Sequence, residues 1–267
     1  MLRSINALFR IRTVSAVNRL LYYVGRLPVV GRLVPASAYR SARAKSLLSA
    51  VVWIGTILYA FAARFMFLGF AAVVPAATIR DELAADEQLA LALNVFLFMG
   101  FLAAGVSYAA VLETKKEKYV AVKLMRFSPG AYMRTTLAYR YVLLLVSYIP
   151  AIAVLLGPLG LPLTQAPALA FAVTAWRVLC EYGHLKLFEK TGFILIRNNA
   201  AVWLPIAAFI ALAYAPFLFD GMPTFGTVLL QWPVTAAVVL AGAVAAVGLA
   251  RYRDYRSAVD AATKRDD

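Results

Sequence analysis

The sequence predicts an all-α membrane protein with six transmembrane helices. The chain of 267 residues is 63% hydrophobic and only 15% charged, with a mean hydropathy of +0.77, far from the composition of soluble domains. Each apolar segment is close to the ~20 residues that a helix needs to cross a bilayer. Positive charge is concentrated in alternate connecting segments. The six apolar segments are 47–72, 88–112, 138–157, 161–180, 199–219 and 228–250.

Residues 1–46 are predicted to form a cytoplasmic amphipathic region at the membrane interface. They contain nine Lys or Arg residues and no Asp or Glu. From Val14 to Leu27 apolar residues recur on one helical face and polar residues on the other, which is typical of a helix lying in the interface. A disordered basic tail is the alternative. Because no secretory signal pattern is present, we expect this N-terminal region to be retained.

The distribution of charge predicts which ends of the helices face the cytoplasm. Three connecting segments contain seven, three and five Lys or Arg residues, namely 113–140, 181–198 and 251–267. The segment 76–87 instead contains four acidic residues and Arg80. By the positive-inside rule both termini are cytoplasmic. The chain is thus predicted to comprise the interface region 1–46, the six-helix transmembrane domain 47–250 and a cytoplasmic tail, 251–267.

The last outside connection, Tyr214 to Gln231, is unusually apolar for a loop. Pro216, Pro223 and two glycines interrupt it, so it cannot continue as one helix. A re-entrant hairpin, whose backbone at membrane depth must be satisfied by protein, is one interpretation. A simple interfacial loop with aromatic anchors is the other.

Polar residues within the apolar segments are few. Arg64 lies inside the first segment, where it faces a translocation path or extends its side chain towards an interface. Asn94, Ser107 and Ser147 are predicted to form hydrogen bonds between helices. Pro150, Pro205 and Pro216 are expected to kink their helices.

The chain has few residues suited to catalysis or metal binding. It contains one cysteine, Cys180, and one histidine, His184, so a disulfide within the chain is excluded and most metal sites are disfavoured. Glu181 and His184 share a helical face, but capping or pairing is favoured over metal binding. No G-x-x-x-x-G-K-[ST] motif occurs, so any ATP-driven work requires another subunit.

The loop from Glu113 to Arg140 has a regular pattern that a flexible linker would lack. Apolar residues lead to the turn Ser128-Pro129-Gly130. A short helix is predicted from Ser128 to Tyr132. We expect Phe127, Tyr132 and Met133 to insert into a groove on a cytosolic partner, with Arg126 and Arg134 at its rim. Alternatively, the loop lies on anionic lipid headgroups.

This loop and the predicted topology resemble those of ABC-2-type (type V) ABC exporter permeases. In that family a Glu after the second span precedes a Leu-rich run, a Ser-Pro turn, a short coupling helix and a basic residue that opens the third span. Glu117, Leu124-Met125, Ser128-Pro129 and Arg140 occupy comparable places. The Gly-Thr that often follows the Glu is replaced by Tyr119-Val120. The match covers about 25 residues in motif and nearly the whole chain in topology.

The resemblance implies a partner-binding coupling helix between spans 2 and 3. Its partner-binding residues would be Glu117, Arg126, Phe127, Ser128, Pro129, Tyr132, Met133 and Arg134. The partners implied are cytosolic ATP-binding cassette ATPases, which supply the ATP and Mg sites, and a second permease subunit, in a homodimer or heterodimer. This chain itself would hold no cofactor and bind no nucleic acid.

We therefore expect a multi-pass permease subunit of the bacterial plasma (inner) membrane. Its cargo would be an amphipathic or hydrophobic peptide, lipid or drug. The resemblance extends to the permeases of that family that export peptides or bacteriocins. A non-transporting membrane scaffold or regulatory subunit for a cytosolic partner is the alternative. A membrane enzyme ranks third, because such enzymes need more His, Cys or paired carboxylates than this chain contains.

Overall fold

The computed structural model describes residues 17, 21–23, 26, 42–219 and 221–263, excluding the side chains of 42–46 and 116. Most of the predicted interface helix from Val14 to Leu27, and of the region 1–46, therefore lies outside the described residues. Within the described part, Val17 and Leu21 are buried and Tyr22 is exposed.

The described chain is helical throughout its regular structure and contains no strand. Three of its α-helical segments continue into π-helical turns, at Phe67–Val73, Phe96–Ala103 and Val120–Leu124. The α-helices are α1 (Ala42–Met66), α2 (Val74–Ile79), α3 (Ala85–Val95), α4 (Ala104–Val106), α5 (Lys116–Tyr119), α6 (Pro129–Leu156), α7 (Gln165–Thr191), α8 (Asn199–Leu218), α9 (Trp232–Arg251) and α10 (Tyr255–Thr263). Short 3₁₀ helices lie at Gly157–Leu159, Leu195–Arg197 and Gly226–Leu230.

Five helical segments of the described chain are long and apolar enough to cross a membrane, as expected for a multi-pass membrane protein. They are Leu47–Ile79, Ala85–Val106, Pro129–Leu159, Asn199–Leu218 and Trp232–Arg251. The predicted span 161–180 is not among them. It belongs to α7, which continues to Thr191, and Arg177 and Glu181 make this helix more polar than the other five.

Helix α7 lies at the centre of the bundle, where it packs most extensively against α9 and then against α6. Small residues allow its close approach to α9. A Cβ atom on Gly242 would overlap Ala175, and one on Gly248 would overlap the ring of Tyr182. Such small-residue contacts let helix backbones approach closely in membranes. Three polar residues of α7, Thr174, Glu181 and His184, are buried within the bundle.

Asn94 fixes the turn between α8 and α9 against the second span. Its amide donates hydrogen bonds of 3.1 Å to the carbonyls of Leu212 and Ala213, and its Oδ1 accepts one of 3.0 Å from the Phe225 N–H. Pro216 has no N–H with which to bond the Leu212 carbonyl four residues earlier. Asn94 therefore satisfies a carbonyl that a proline has left without its helical partner.

The segment that follows α8 packs at the depth of the middle of the second span. A Cβ on Gly226 would overlap the backbone of Leu93 and Asn94, and Leu229 is buried. Asn94 is nine residues into the helix that begins at Ala85, which corresponds to about 14 Å along its axis. This position favours the re-entrant interpretation of 214–231, with Asn94 satisfying backbone that leaves the helical pattern.

Replacing Asn94 by alanine should reduce the free energy of unfolding by about 1–3 kcal/mol, because buried backbone groups lose their partners. Unfolding in mixed detergent micelles measures this cost. In a Pro216→Ala background the cost should be smaller, since the restored N–H can bond the Leu212 carbonyl.

Thr78→Ala is the control, because its hydroxyl donates only to the Val74 carbonyl of its own helix at an exposed position. Its cost should stay within about 0.5 kcal/mol. Equal effects of Asn94→Ala and Thr78→Ala would contradict the role given to Asn94.

Candidate functional site: an anchored loop and the cleft beside it

Side chains of α7 cap the end of the second span. The indole of Trp176 donates to the Phe101 carbonyl at 2.9 Å, and the Arg177 guanidinium donates to the Ala104 carbonyl at 3.0 Å. The Nε2 atom of His184 lies 2.9 Å from the Gly105 carbonyl oxygen. The last four carbonyls of a helix have no partner within the helix, so Arg177 and His184 supply donors for those of Ala104 and Gly105.

This capping requires a close approach at Gly105. A Cβ atom there would lie 2.7 Å from the sulfur of Cys180. His184 is therefore used in capping, as expected from the sequence. Among the described residues no group of three His, Cys, Asp or Glu side chains could hold a metal ion.

After α4 the chain leaves the helix but stays buried, and two ionic side chains satisfy its backbone. The Glu181 carboxylate accepts hydrogen bonds of 2.8 Å from the N–H groups of both Ala110 and Val111. The Lys118 ammonium donates to the carbonyls of Ala110, Val111 and Glu113 at 3.0, 2.8 and 2.6 Å. We call this arrangement of Glu181, Lys118 and the peptide groups between them the clasp.

The clasp compensates for the burial of its charges. Glu181 also accepts a hydrogen bond of 3.2 Å from the Tyr141 hydroxyl of α6. A buried charge is tolerated when its hydrogen-bonding capacity is used. Burial lowers the pKa of Lys118 from its ordinary 10.5 to about 8, while the negative charge of Glu181 opposes that shift. The clasp ties the loop to α6 and α7.

The C-terminal helix α10 closes the other side of the loop. The Lys123 ammonium lies 2.5 Å from Asp260, and Thr114 donates to the Ala262 carbonyl at 2.9 Å. Arg197, from the next basic connection, donates to the carbonyls of Ala261 and Ala262 at 3.1 Å. All three segments predicted to be cytoplasmic therefore contact one another at one end of the bundle.

The helical part of the loop, α5 and the π-helical turn that follows it, carries exposed apolar side chains. Leu124 is 64% exposed, Met125 49% and Tyr119 47%, while Ala121 between them in the sequence is buried. We call Tyr119, Leu124 and Met125 the tip. Arg126, with φ of 54°, reverses the chain directly after it, and Lys123 and Arg126 are exposed beside it.

The structure places the predicted partner-binding residues in different environments. Arg126, Ser128 and Arg134 are exposed, while Phe127, Pro129 and Tyr132 are half-buried. Ser128 precedes α6, and Pro129 begins it, so Ser128–Tyr132 opens a 28-residue helix instead of forming a separate coupling helix. Met133 is fully buried. Its side chain is therefore not accessible to a partner's groove in this structure.

A cleft of about 400 Å³ runs along α6 beside the loop. Its wall includes Glu117 and Tyr132 at the loop end and Arg64 and Ser147 at the other. The distance along α6 from Tyr132 to Ser147 is about 22 Å. Arg64 lies near the middle of the span Leu47–Ile79, with its guanidinium 5.1 Å from the centre of the Tyr148 ring. Arg64 therefore lines the cleft at the level of the middle of that span.

No protein-family model, curated protein or solved structure matches this chain. The site is therefore interpreted from its own geometry.

The sequence did not assign a role to Lys118 and did not predict that α10 would pack against the loop. The spacing of Tyr255, Ala258, Val259 and Ala262 is that of one apolar helical face, and all four are buried.

Glu181→Gln should weaken the clasp, because the NH₂ group of the glutamine amide would face one of the two backbone N–H groups, of Ala110 and Val111, that donate to the carboxylate. We expect the free energy of unfolding to fall by about 1–3 kcal/mol and trypsin to cleave the loop 107–128 faster. Glu189→Gln, on the exposed part of the same helix, is the control. Equal cleavage rates in the two variants would contradict the clasp.

The clasp also predicts a pH dependence. Because the pKa of Lys118 is lower in the folded chain (about 8) than its ordinary value of 10.5, the unfolded chain binds more protons between these values. The free energy of unfolding should therefore rise from pH 8 to pH 10.5 relative to a Lys118→Met variant. A difference that stays flat or falls across this window would contradict burial of the ammonium.

Proposed function

We propose that this chain is the transmembrane permease subunit of an ATP-binding cassette exporter in a bacterial plasma membrane. It would act with a second permease subunit, identical or different, and with cytosolic ATPase subunits that bind ATP and Mg. The observation that carries the proposal is an exposed apolar tip on a loop held to the membrane helices by a buried ionic clasp.

The loop has the mechanical properties that a coupling element needs. Tyr119 and Lys118 are neighbours in α5, so the tip and the clasp belong to the same short helical segment. A displacement of the tip would therefore act on the peptide groups held by Glu181 and, through them, on α7. Glu117 and Lys118 also line the cleft, so such a movement would change the shape of its wall.

The exposed side chains are suited to binding a protein groove. Leucine, methionine and tyrosine provide apolar contact area, and the exposed cations Lys123 and Arg126 provide a charged rim. Binding to anionic lipid headgroups would use the same residues. However, such binding does not require the loop to be fastened to the two membrane helices α6 and α7.

In this proposal α7 is the fourth of six spans and both termini are cytoplasmic. Its length of 27 residues is sufficient to cross a bilayer. Enclosure by α6 and α9 explains how a helix with charged residues could lie in the membrane, since the Glu181 carboxylate and the His184 ring find hydrogen-bond partners in protein. The meeting of the three basic segments at one end supports a cytoplasmic location for that end.

Replacing Leu124 and Met125 by aspartate should abolish recruitment of the ATPase while leaving the chain folded. The test is affinity purification from source-cell membranes, followed by mass spectrometry for a subunit carrying a phosphate-binding loop and by an ATPase assay. Leu163→Asp with Met222→Asp is the matched control, because both residues are exposed and apolar in the connections at the other end.

Undiminished ATPase recruitment by the tip variant would overturn docking through the tip. Recruitment without stimulation of ATP hydrolysis or cargo movement in reconstituted vesicles would instead favour the alternative, a membrane scaffold or regulatory subunit. Loss of vesicle binding in the tip variant, with no ATPase bound to the unmodified chain, would favour the lipid-binding interpretation.

A further inference from the structure

Two arginines from different helices face the deep part of the cleft. Arg64 comes from α1 and Arg177 from α7, and both line the cavity wall. Their guanidinium groups carry charges of the same sign in the same cleft. Arg177 donates to the Ala104 carbonyl through one terminal nitrogen, but the Nε atoms of both arginines are buried without a hydrogen-bond partner.

Carboxylates in the described part of the chain do not compensate this pair. Neither Arg64 nor Arg177 forms a salt bridge with a described residue. Glu181, the buried carboxylate of α7, is occupied by two backbone N–H groups. Of the acids that line the cleft, Glu113 pairs with Lys115 at 3.1 Å. Five Lys or Arg residues line the cleft, compared with two Glu residues.

An uncompensated charge at this depth is costly, and two adjacent charges of the same sign are costlier. An anion between them would offset their repulsion and supply acceptors for the unsatisfied N–H groups. A guanidinium binds phosphate or carboxylate through parallel hydrogen bonds, so two of them form a site for such a group. The deep end of the cleft therefore has the chemistry of an anion site.

The remainder of the cleft has a different chemistry. Leu143 and Leu144 line it beside the rings of Tyr132, Tyr139 and Tyr141. Leucine side chains and aromatic faces would accommodate an apolar chain but not a free inorganic anion. The cleft therefore combines the cations Arg64 and Arg177 with apolar surface along α6, beside the cationic Arg140 of the same helix. Lys115 and Lys118 lie at its loop end.

We propose that the Arg64–Arg177 end of the cleft binds the anionic headgroup of an amphiphile whose apolar part lies along α6. The identification of that amphiphile as cargo rests on the proposed function. The binding itself needs no ATPase, so it can be tested on this chain alone and can fail independently of tip docking.

The test is native mass spectrometry of the full chain in a nonionic detergent. The probes are phosphatidylglycerol, phosphatidylcholine with the same acyl chains, and inorganic phosphate. We expect the unmodified chain to prefer phosphatidylglycerol over phosphatidylcholine, and Arg64→Gln to weaken phosphatidylglycerol binding about tenfold, as loss of one charge-assisted hydrogen-bonded contact would.

Lys190→Gln is the charge-matched control, since Lys190 is exposed on α7 and lies outside the cleft. It should change the affinity less than twofold. Arg64→Lys keeps the charge but not the planar donor group, and we expect a loss of about threefold. If Arg64→Gln does not fold, the comparison of Arg64→Lys with Lys190→Gln carries the test.

Equal affinities in the unmodified chain and the Arg64 variants would overturn the proposal, as would equal losses in Arg64→Gln and Lys190→Gln. Displacement of phosphatidylglycerol by an equal concentration of inorganic phosphate would also overturn it, because the free anion would then suffice. Selective loss of the anionic lipid in the Arg64 variants supports it.

Discussion

The structure depends on satisfying backbone that leaves a helix while it remains buried. Residues Ala109 to Leu112 are buried yet not helical, and without partners their peptide groups would destabilise the fold severely. Glu181 accepts from two of their N–H groups, and Lys118 donates to carbonyls of the same peptides. Two ionised side chains therefore act together through the peptide groups between them. The irregular segment becomes a rigid connection between the bundle and the exposed loop.

The same constraint acts beside the middle of the second span. Pro216 removes a hydrogen bond from α8, and Asn94 donates to the carbonyl that this leaves unpaired while accepting from the Phe225 N–H. In both places a polar side chain in one helix satisfies irregular backbone in another. These side chains are therefore structural partners of the segments that could move. If either segment moved, these hydrogen bonds would break, or the side chains that form them would have to move as well.

The cleft follows from this arrangement. Because α7 provides Trp176, Arg177 and His184 to the end of the second span, it lies deep in the bundle with Arg177 and Glu181 directed inward. Arg177 then meets Arg64 of α1 at the deep end of the cleft, and the loop forms the other end. The exposed tip, the clasp and the arginine pair consequently lie along one connected set of contacts. That continuity is what the proposed coupling of a cytosolic partner to the interior of the bundle requires.

The amino-acid sequence by itself determined the all-helical membrane class and five of the apolar spans, because hydropathy over about 20 residues is a local property. It also marked Asn94, Arg64 and the interrupted connection 214–231 as exceptions. The sequence did not determine that α6 begins at Pro129, that Met133 is buried, or that α10 packs against the loop. Nor did it reveal the clasp, since Glu181 and Lys118 are far apart in the chain and polar residues at such positions are more often solvated. Only the tertiary structure decided those features, because each depends on which helices are neighbours. A charge near a helix end is solvated when that end is free and buried when another helix covers it.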